Sequence, residues 1–168
     1  KTNWPFKISF AIEKEPLGTG GAIKYALEFT KDSDIIILNG DTFFDINLSR
    51  FYNKHIFSKV ELSVALKPMN HFSRYGNVLL NSNNQIISFL EKEYCDKGQI
   101  NGGIYLIKRN NLFKNFKTKF SFEQDFLAIK FNDLKIFGVV FDEYFIDIGI
   151  PEDYQIADKY FNELLSES

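Results

Sequence analysis

Four stretches of this sequence hold residues whose types and spacing could do chemistry. Glu15–Ala22 reads EPLGTGGA, three glycines leading into a helical pattern. Glycine lets a backbone approach a ligand closely, and the first N–H groups of a helix lack intrahelical partners. Such a turn can receive a phosphate or a nucleobase. Glycines alone, however, favour a plain strand-to-helix turn. A dinucleotide fingerprint fails, because Ile23 stands where the third small residue belongs. Asp41 follows Asn39-Gly40 at the end of an apolar run. Ligands gather beyond the carboxyl ends of strands in open α/β sheets, and a carboxylate there can hold Mg²⁺. Capping of a turn or of the next helix explains Asp41 equally well. Asp147 sits in FIDIGIP among apolar residues, ahead of Gly149. A carboxylate in that setting needs a partner, whether a cation, an arginine or backbone donors. Asp41 and Asp147 both end strands, so one metal could join them. Phe89–Lys92 (FLEK) and Asn101-Gly102-Gly103 complete the set. Glu and Asn can hydrogen-bond sugar hydroxyls, and Lys offers a point charge to phosphate. Taken singly, these last two are ordinary surface and an ordinary turn.

Other candidates fall away. His55 and His71 have no metal-ligand spacing and are expected at the surface or in caps. The DxD in Lys31–Asp34 precedes a strand instead of ending one, which suits a turn. Asp45 is expected to cap the helix that begins near Leu48. No nucleophile elbow, Walker A loop, zinc pattern or RNA-binding signature is present.

The elements that must position these residues read as an α/β series. Ile8, Phe10 and Ile12 alternate with polar residues and predict a strand over Lys7–Glu13. A helix follows from about Gly20, with Ala22, Ile23, Ala26 and Leu27 on one face. Asp34–Asn39 predicts a strand buried on both faces of a parallel sheet. A helix over Leu48–Ser58 and a strand over Val60–Lys67 come next. Asn77–Leu80 and Gln85–Leu90 flank NSNN as a hairpin. Further strands are expected at Gly103–Ile107, Lys135–Phe141 and Tyr144–Asp147. Ser121 with Gln124 resembles a capping box opening a helix to about Lys130. Pro151, Glu152 and Asp153 suit the first turn of a last helix, with Tyr154, Ala157, Phe161 and Leu164 on its apolar face. At 168 residues and ~150 residues per domain, one domain over 1–168 is expected. Its fold class is α/β, Rossmann-like, with a mixed, mainly parallel sheet and helices on both faces.

Composition sets limits on function. Lys and Arg number 20 against 22 Asp and Glu, which argues against a nucleic-acid binder held by bulk charge and leaves room only for a local basic patch. The one cysteine, Cys95, excludes an internal disulfide framework and fits a reducing, cytoplasmic setting. No apolar run approaches the ~18 residues of a membrane helix, so no membrane partner is expected.

In order along the chain, EPLGTGGA, ILNGDTFFD, RYGNV, FLEK, NGGIYLI, FSFEQDFL and FIDIGIPEDY resemble the sugar-1-phosphate nucleotidyltransferase family. The resemblance runs from about Ile8 to Ala157. The finer likeness, carried by EKEPLGTGGAIKYALEF, ALKPM and YFIDIGIPEDY, is to the branch that activates a manno-heptose 1-phosphate with GTP. The resemblance implies nucleotidyl transfer from a nucleoside triphosphate to a sugar 1-phosphate, with release of pyrophosphate, for surface glycans such as lipopolysaccharide or capsule. It implies Asp41 and Asp147 as catalytic Mg²⁺ ligands, and Leu17, Gly18 and Thr19 beside the nucleotide. It places Gly76, Glu91, Lys92, Asn101 and Glu123 at the sugar phosphate. The family's opening Gly-rich loop with its Arg, resembling GGxGTRL…PKP, has no counterpart here. The chain is therefore expected to be the C-terminal two-thirds of an N-terminally truncated domain, inactive alone, with room for homo-oligomer formation through an exposed sheet edge.

Rival readings are a non-catalytic binding module for sugar phosphate or nucleotide, a uridylyl-, cytidylyl- or thymidylyltransferase, and a metal-dependent glycosyltransferase. The lost loop favours the module, and the retained Asp41 and Asp147 disfavour it. The misplaced DxD counts against the glycosyltransferase.

Overall fold

A computed structural model describes residues 5–109 and 112–166. The chain is mixed α/β. Its elements in order are α1 (Gly18–Ala26), a 3₁₀ turn (Leu27–Phe29), β1 (Asp34–Leu38), β2 (Thr42–Phe44), α2 (Leu48–Ser58), β3 (Leu62–Phe72), β4 (Gly76–Leu80), β5 (Ile86–Lys92), β6 (Cys95–Lys108), a π-wound helix (Phe122–Leu127), α3 (Ala128–Lys130), β7 (Ile136–Val140), β8 (Phe145–Asp147) and α4 (Pro151–Ser166). They pack as two compact units, one of residues 1–35 with 108–130, the other of 36–107 with 131–168.

In the first unit, α1 packs through its glycines. A Cβ on Gly20 would lie 2.2 Å from Cε2 of Phe120, and one on Gly21 would lie 2.3 Å from the Thr118 carbonyl. Only glycine permits so close an approach of helix to neighbouring chain. Gly20 and Gly21 are accordingly the buried residues of α1, not the Ala22/Ile23/Ala26/Leu27 face that periodicity predicts. Phe113, Phe120, Phe122 and Phe126 are buried beside one another, with ring centroids of Phe113 and Phe126 4.9 Å apart. The predicted cap at Ser121 forms: its Oγ accepts from Gln124 N–H at 3.1 Å. The return bond comes from Asp125, whose Oδ2 accepts from Ser121 N–H, so the box closes one residue later than expected. The helix that follows is π-wound before it becomes α. Lys7–Glu13 is not a strand. Alternation yields a strand only where a neighbour takes up its N–H and C=O groups, and among the described residues none does. Phe6, Phe10 and Ile12 are exposed.

The second unit is built on a four-stranded sheet in the order β1-β6-β3-β7. β3 pairs antiparallel with β6 and parallel with β7. β2 with β8 and β4 with β5 form separate antiparallel ladders. The expectation of a mainly parallel sheet is thus corrected to one in which antiparallel pairing predominates. The cause is β6: the β4–β5 hairpin between β3 and β6 turns the chain, and its long return strand runs back along β3. β1 is an edge strand of this sheet, and Ile36 and Leu38 are 39% and 59% exposed. The expectation of burial on both faces does not hold for it.

Helix α2 has its predicted bounds, but its cap is Asn47, whose side chain accepts from Arg50 N–H at 2.8 Å, and not Asp45. Lys59 ends it in the left-handed region at φ 53°. His55 is fully buried, with Nδ1 2.8 Å from Ser63 Oγ, which corrects its expected place at the surface. His71 is exposed as expected. Phe44, Ile46, Phe51, Ala65, Ile104, Leu106, Val139 and Phe141 form a buried cluster that joins β2 and α2 to the sheet. Among the described residues no helix is long and apolar enough to cross a membrane.

Candidate functional site

Asp41 and Asp147 are brought together by the β2–β8 ladder. Thr42 stands opposite Asp147, and Ile148 N–H donates to the Asp41 carbonyl at 3.0 Å. The ladder is anchored by Phe44, which is buried against Phe141 and Phe145 in edge-on pairs. β6 shapes the other side of the turn. Asn39 N–H donates to the Gly103 carbonyl at 2.9 Å. Gly103 has φ 73°, and a Cβ there would lie 2.5 Å from Thr42 Oγ1; one on Gly102 would lie 2.4 Å from the Phe44 ring. The two glycines of Asn101-Gly102-Gly103 therefore let β6 pass directly behind the segment that carries Asp41. Asn101 serves this bend with both ends of its amide. Its Nδ2 donates to the Tyr105 hydroxyl at 2.8 Å, and its Oδ1 accepts from Gly103 N–H at 3.0 Å.

Asp41 is exposed and Asp147 half-buried. Asp147 Oδ1 accepts from Gly149 N–H at 2.7 Å. The Tyr75 phenol and Asp147 line the same cleft. Burial pushes the Tyr75 phenol up to about 12; the Asp147 charge adds to this and Arg74 opposes it. The Arg74 guanidinium lies 5.5 Å from the Tyr75 ring centroid and donates to Asp153 Oδ2 at 2.5 Å. That bond raises the Arg74 pKa further. Arg74, Tyr75, Asp147 and Asp153 line one cleft of about 330 Å³, together with Met69 and His71. Sequence reasoning used RYGNV only for Gly76 and missed Arg74 and Tyr75. Their adjacency to that glycine was the available signal.

Gly76, Glu91 and Lys92 share the β4–β5 hairpin. Gly76 faces Lys92 in the ladder, and a Cβ on it would lie 2.4 Å from the Leu90 carbonyl. Glu91 and Lys92 are exposed. Leu17, Gly18, Thr19 and Glu123 belong to the first unit. Thr19 Oγ1 donates to Glu123 Oε2 at 2.8 Å and accepts from Phe122 N–H. Leu17 N–H donates to Glu13, and the Leu17 carbonyl accepts from Phe120 N–H. Gly18 has φ 73°, with its Cβ position 2.6 Å from the Phe120 carbonyl. Gly20 and Gly21 N–H both donate to that carbonyl, at 3.0 and 3.3 Å. The reading of these glycines as open donors for a phosphate is corrected for those two groups.

Asp41 and Asp147 offer hard oxygen donors only. Among the described residues no group of three or more His, Cys, Asp or Glu gathers that could hold a metal ion. Two carboxylates, with the remaining positions left for substrate phosphate and water, are the donor set that suits Mg²⁺ better than a softer ion.

The family model described as Nucleotidyl transferase matches residues 1–163. Among curated relatives, a D-glycero-alpha-D-manno-heptose 1-phosphate guanylyltransferase of Aneurinibacillus thermoaerophilus is 47% identical over 154 residues, covering 90% of this chain and 66% of its own. Its counterpart in Campylobacter jejuni is 50% identical over 150 residues, covering 88% and 65%. The chain thus spans just under two thirds of the length of both. The crystal structure of HddC from Yersinia pseudotuberculosis matches with a TM-score of 0.84 at 37% identity, over 94% of this chain and 68% of that one. The same protein complexed with GMP-PN matches at 0.80, with 35% identity, over 92% and 67%.

Proposed function

Since the chain belongs to the nucleotidyl transferase family, we propose that it is the body of a guanylyltransferase acting on D-glycero-D-manno-heptose 1-phosphate. We read residues 1–168 as part of a single catalytic domain, in line with a family match that runs over both units. In the reaction, a phosphate oxygen of the sugar 1-phosphate attacks the α-phosphorus of GTP. The bond from that phosphorus to the bridging oxygen breaks, and pyrophosphate leaves with the electron pair. The product is a GDP-sugar, supplied in the cytoplasm to surface glycan assembly.

Asp41 and Asp147 would hold Mg²⁺, which when bound supplies charge neutralisation at the phosphates. The observation that carries this reading is the ladder register that sets Thr42 opposite Asp147 and so brings the backbones of Asp41 and Asp147 to one end of the ladder. Leu17, Gly18 and Thr19 are assigned to the base and ribose. The Gly76 backbone, Glu91, Asn101 and Glu123 are assigned to the sugar, and Lys92 to its phosphate. These groups act by orienting two anions for in-line attack, a task in which positioning supplies much of the rate.

The test is pyrophosphate release with Mg²⁺ by the native polypeptide that carries this sequence, across a grid of nucleoside triphosphates and sugar 1-phosphates. Release with GTP and the manno-heptose 1-phosphate alone is the expected result. Release with another pair would move the assignment to a sister activity. No release with any pair, alongside retained sugar-phosphate binding, would make the protein a binding module.

A further inference from the structure

We infer that Asn77 is a positioning residue for the sugar 1-phosphate, holding the open end of the β4–β5 hairpin against β6. The inference rests on the reading that Gly76, Glu91, Lys92 and Asn101 meet the sugar and its phosphate, and goes beyond it by naming what sets their spacing. Gly76, Glu91 and Lys92 lie at the open end of the hairpin, and Asn101 lies on β6. The hairpin is a ladder separate from the four-stranded sheet. Its turn end is tied to β7 by backbone: Gly138 N–H donates to the Asn84 carbonyl at 2.8 Å, and Gln85 bridges to Phe137. Its open end is tied to β6 by the side chain of Asn77.

The backbone explains why a side chain makes this tie. The β4–β5 register shifts between Gly76 and Val78, so Asn77 falls at the irregularity, outside the paired positions. Its Oδ1 accepts from Gln99 N–H at 3.0 Å, and its Nδ2 donates to Cys95 Sγ at 3.6 Å. On β6, Gln99 stands opposite Pro68 of β3. Proline has no N–H for a ladder bond, and the N–H of Gln99 goes to Asn77. Gly98 makes room for the contact: a Cβ there would lie 2.5 Å from Asn77 Oδ1 and 2.8 Å from its Cγ. The amide is thus seated between Cys95 and Gln99, and Asn101 follows two residues further along the same strand. A part-buried N–H that loses its acceptor is costly, which keeps the amide in place.

Asn77→Leu keeps a side chain of similar size and removes both bonds, while Asn77→Asp keeps an oxygen for Gln99 N–H. The measurement is calorimetric binding of the manno-heptose 1-phosphate to the native polypeptide, with Mg²⁺ and a non-hydrolysable GTP analogue present. Asn77→Leu should weaken that binding about ten-fold, the equivalent of one charge-assisted hydrogen bond moved out of reach. Asn77→Asp should recover most of the loss, and affinity for the GTP analogue should not change. Hydrogen exchange at the Gln99 amide reads the bond itself: faster in Asn77→Leu, unchanged in Asn77→Asp. Glu91→Ala is run beside them. If Glu91→Ala weakens sugar-phosphate binding and Asn77→Leu does not, Asn77 only joins strands and the inference is overturned. Equal losses for sugar phosphate and GTP analogue also overturn it, because they report a general loss of fold. Unchanged Gln99 exchange in Asn77→Leu overturns it as well. If Glu91→Ala has no effect on binding, the sugar-site reading fails, and the inference falls with it. Should Asn77→Leu not fold, Gly98→Ala is read in its place. Gly98 is not among the glycines of positive φ, so its methyl would push the Asn77 amide aside without backbone strain. Weaker sugar-phosphate binding by that variant supports the inference, and unchanged binding overturns it.

Discussion

Thr42 of β2 stands directly across a three-residue antiparallel ladder from Asp147 of β8. The register matters because side chains alternate faces along a strand. A slip by one residue would turn Asp147 to the opposite face and break the bond from Ile148 N–H to the Asp41 carbonyl that holds the two segments side by side.

Asp41→Asn and Asp147→Asn each keep the shape of the side chain and remove its charge. Turnover of the native polypeptide should fall by at least about 100-fold, the scale seen when one preorganised electrostatic partner of a transition state is lost. Asp41 is exposed and Asp147 only half-buried, so stability should change by less than about 1 kcal/mol. Steady-state rates and urea unfolding check the two halves. Near-normal rates would remove the metal role.

Gly103→Ala forces a side chain into a left-handed backbone at φ 73° and against Thr42 Oγ1. The backbone strain alone should cost about 1–2 kcal/mol. Displacement of the Asn39–Thr42 turn should lower kcat as well. Retained stability with full activity would show that β6 does not support the Asp41 segment.

Gly20→Ala tests packing in the first unit. Its methyl would meet the Phe120 ring, and overpacking of this kind typically costs about 1–3 kcal/mol. Phe120→Leu should recover part of that loss when combined with it, since the two residues touch. A double-mutant cycle by denaturant unfolding measures the coupling. Strict additivity would contradict the packing described.

Glu91→Ala should raise KM for the sugar 1-phosphate about ten-fold with little change in kcat, the effect of losing one charge-assisted hydrogen bond of roughly 1.5 kcal/mol. Glu91 is exposed at the end of β5, so folding should be unaffected. An unchanged KM would place the sugar elsewhere.

Local signals were legible in the sequence and long-range ones were not. Helix α2 could be read from Leu48 to Ser58 because its periodicity and both of its ends lie within a dozen residues. The β4–β5 hairpin was visible because Asn81 and its neighbours make a self-contained turn, with Asn81 Oδ1 accepting from Asn83 and Gln85 N–H. β6 was read only from Gly103 to Ile107. Its first half, with Asp96, Lys97 and Gln99, is polar and becomes a strand through pairing with β3. Lys7–Glu13 was misread for the converse reason, a good alternation without a strand partner among the described residues. Asp41 and Asp147 were found as types at strand ends. Arg74 and Tyr75 were missed because Asp153, the partner of Arg74, and Phe145, the ring against Tyr75, lie far along the chain, and no spacing rule connects them.

Helix α4 is docked on β2 and β8 by aromatic rings, Tyr160 stacked on Tyr144 at 4.4 Å and Phe161 edge-on to Phe43 at 4.9 Å. Two phenols held 21° from parallel at that distance couple their electronic transitions, and the coupling has a handedness fixed by the protein. The stacked tyrosines give the chain an optical marker: the near-ultraviolet circular dichroism of this pair changes when α4 leaves the strand that carries Asp147, with no label and no substrate added.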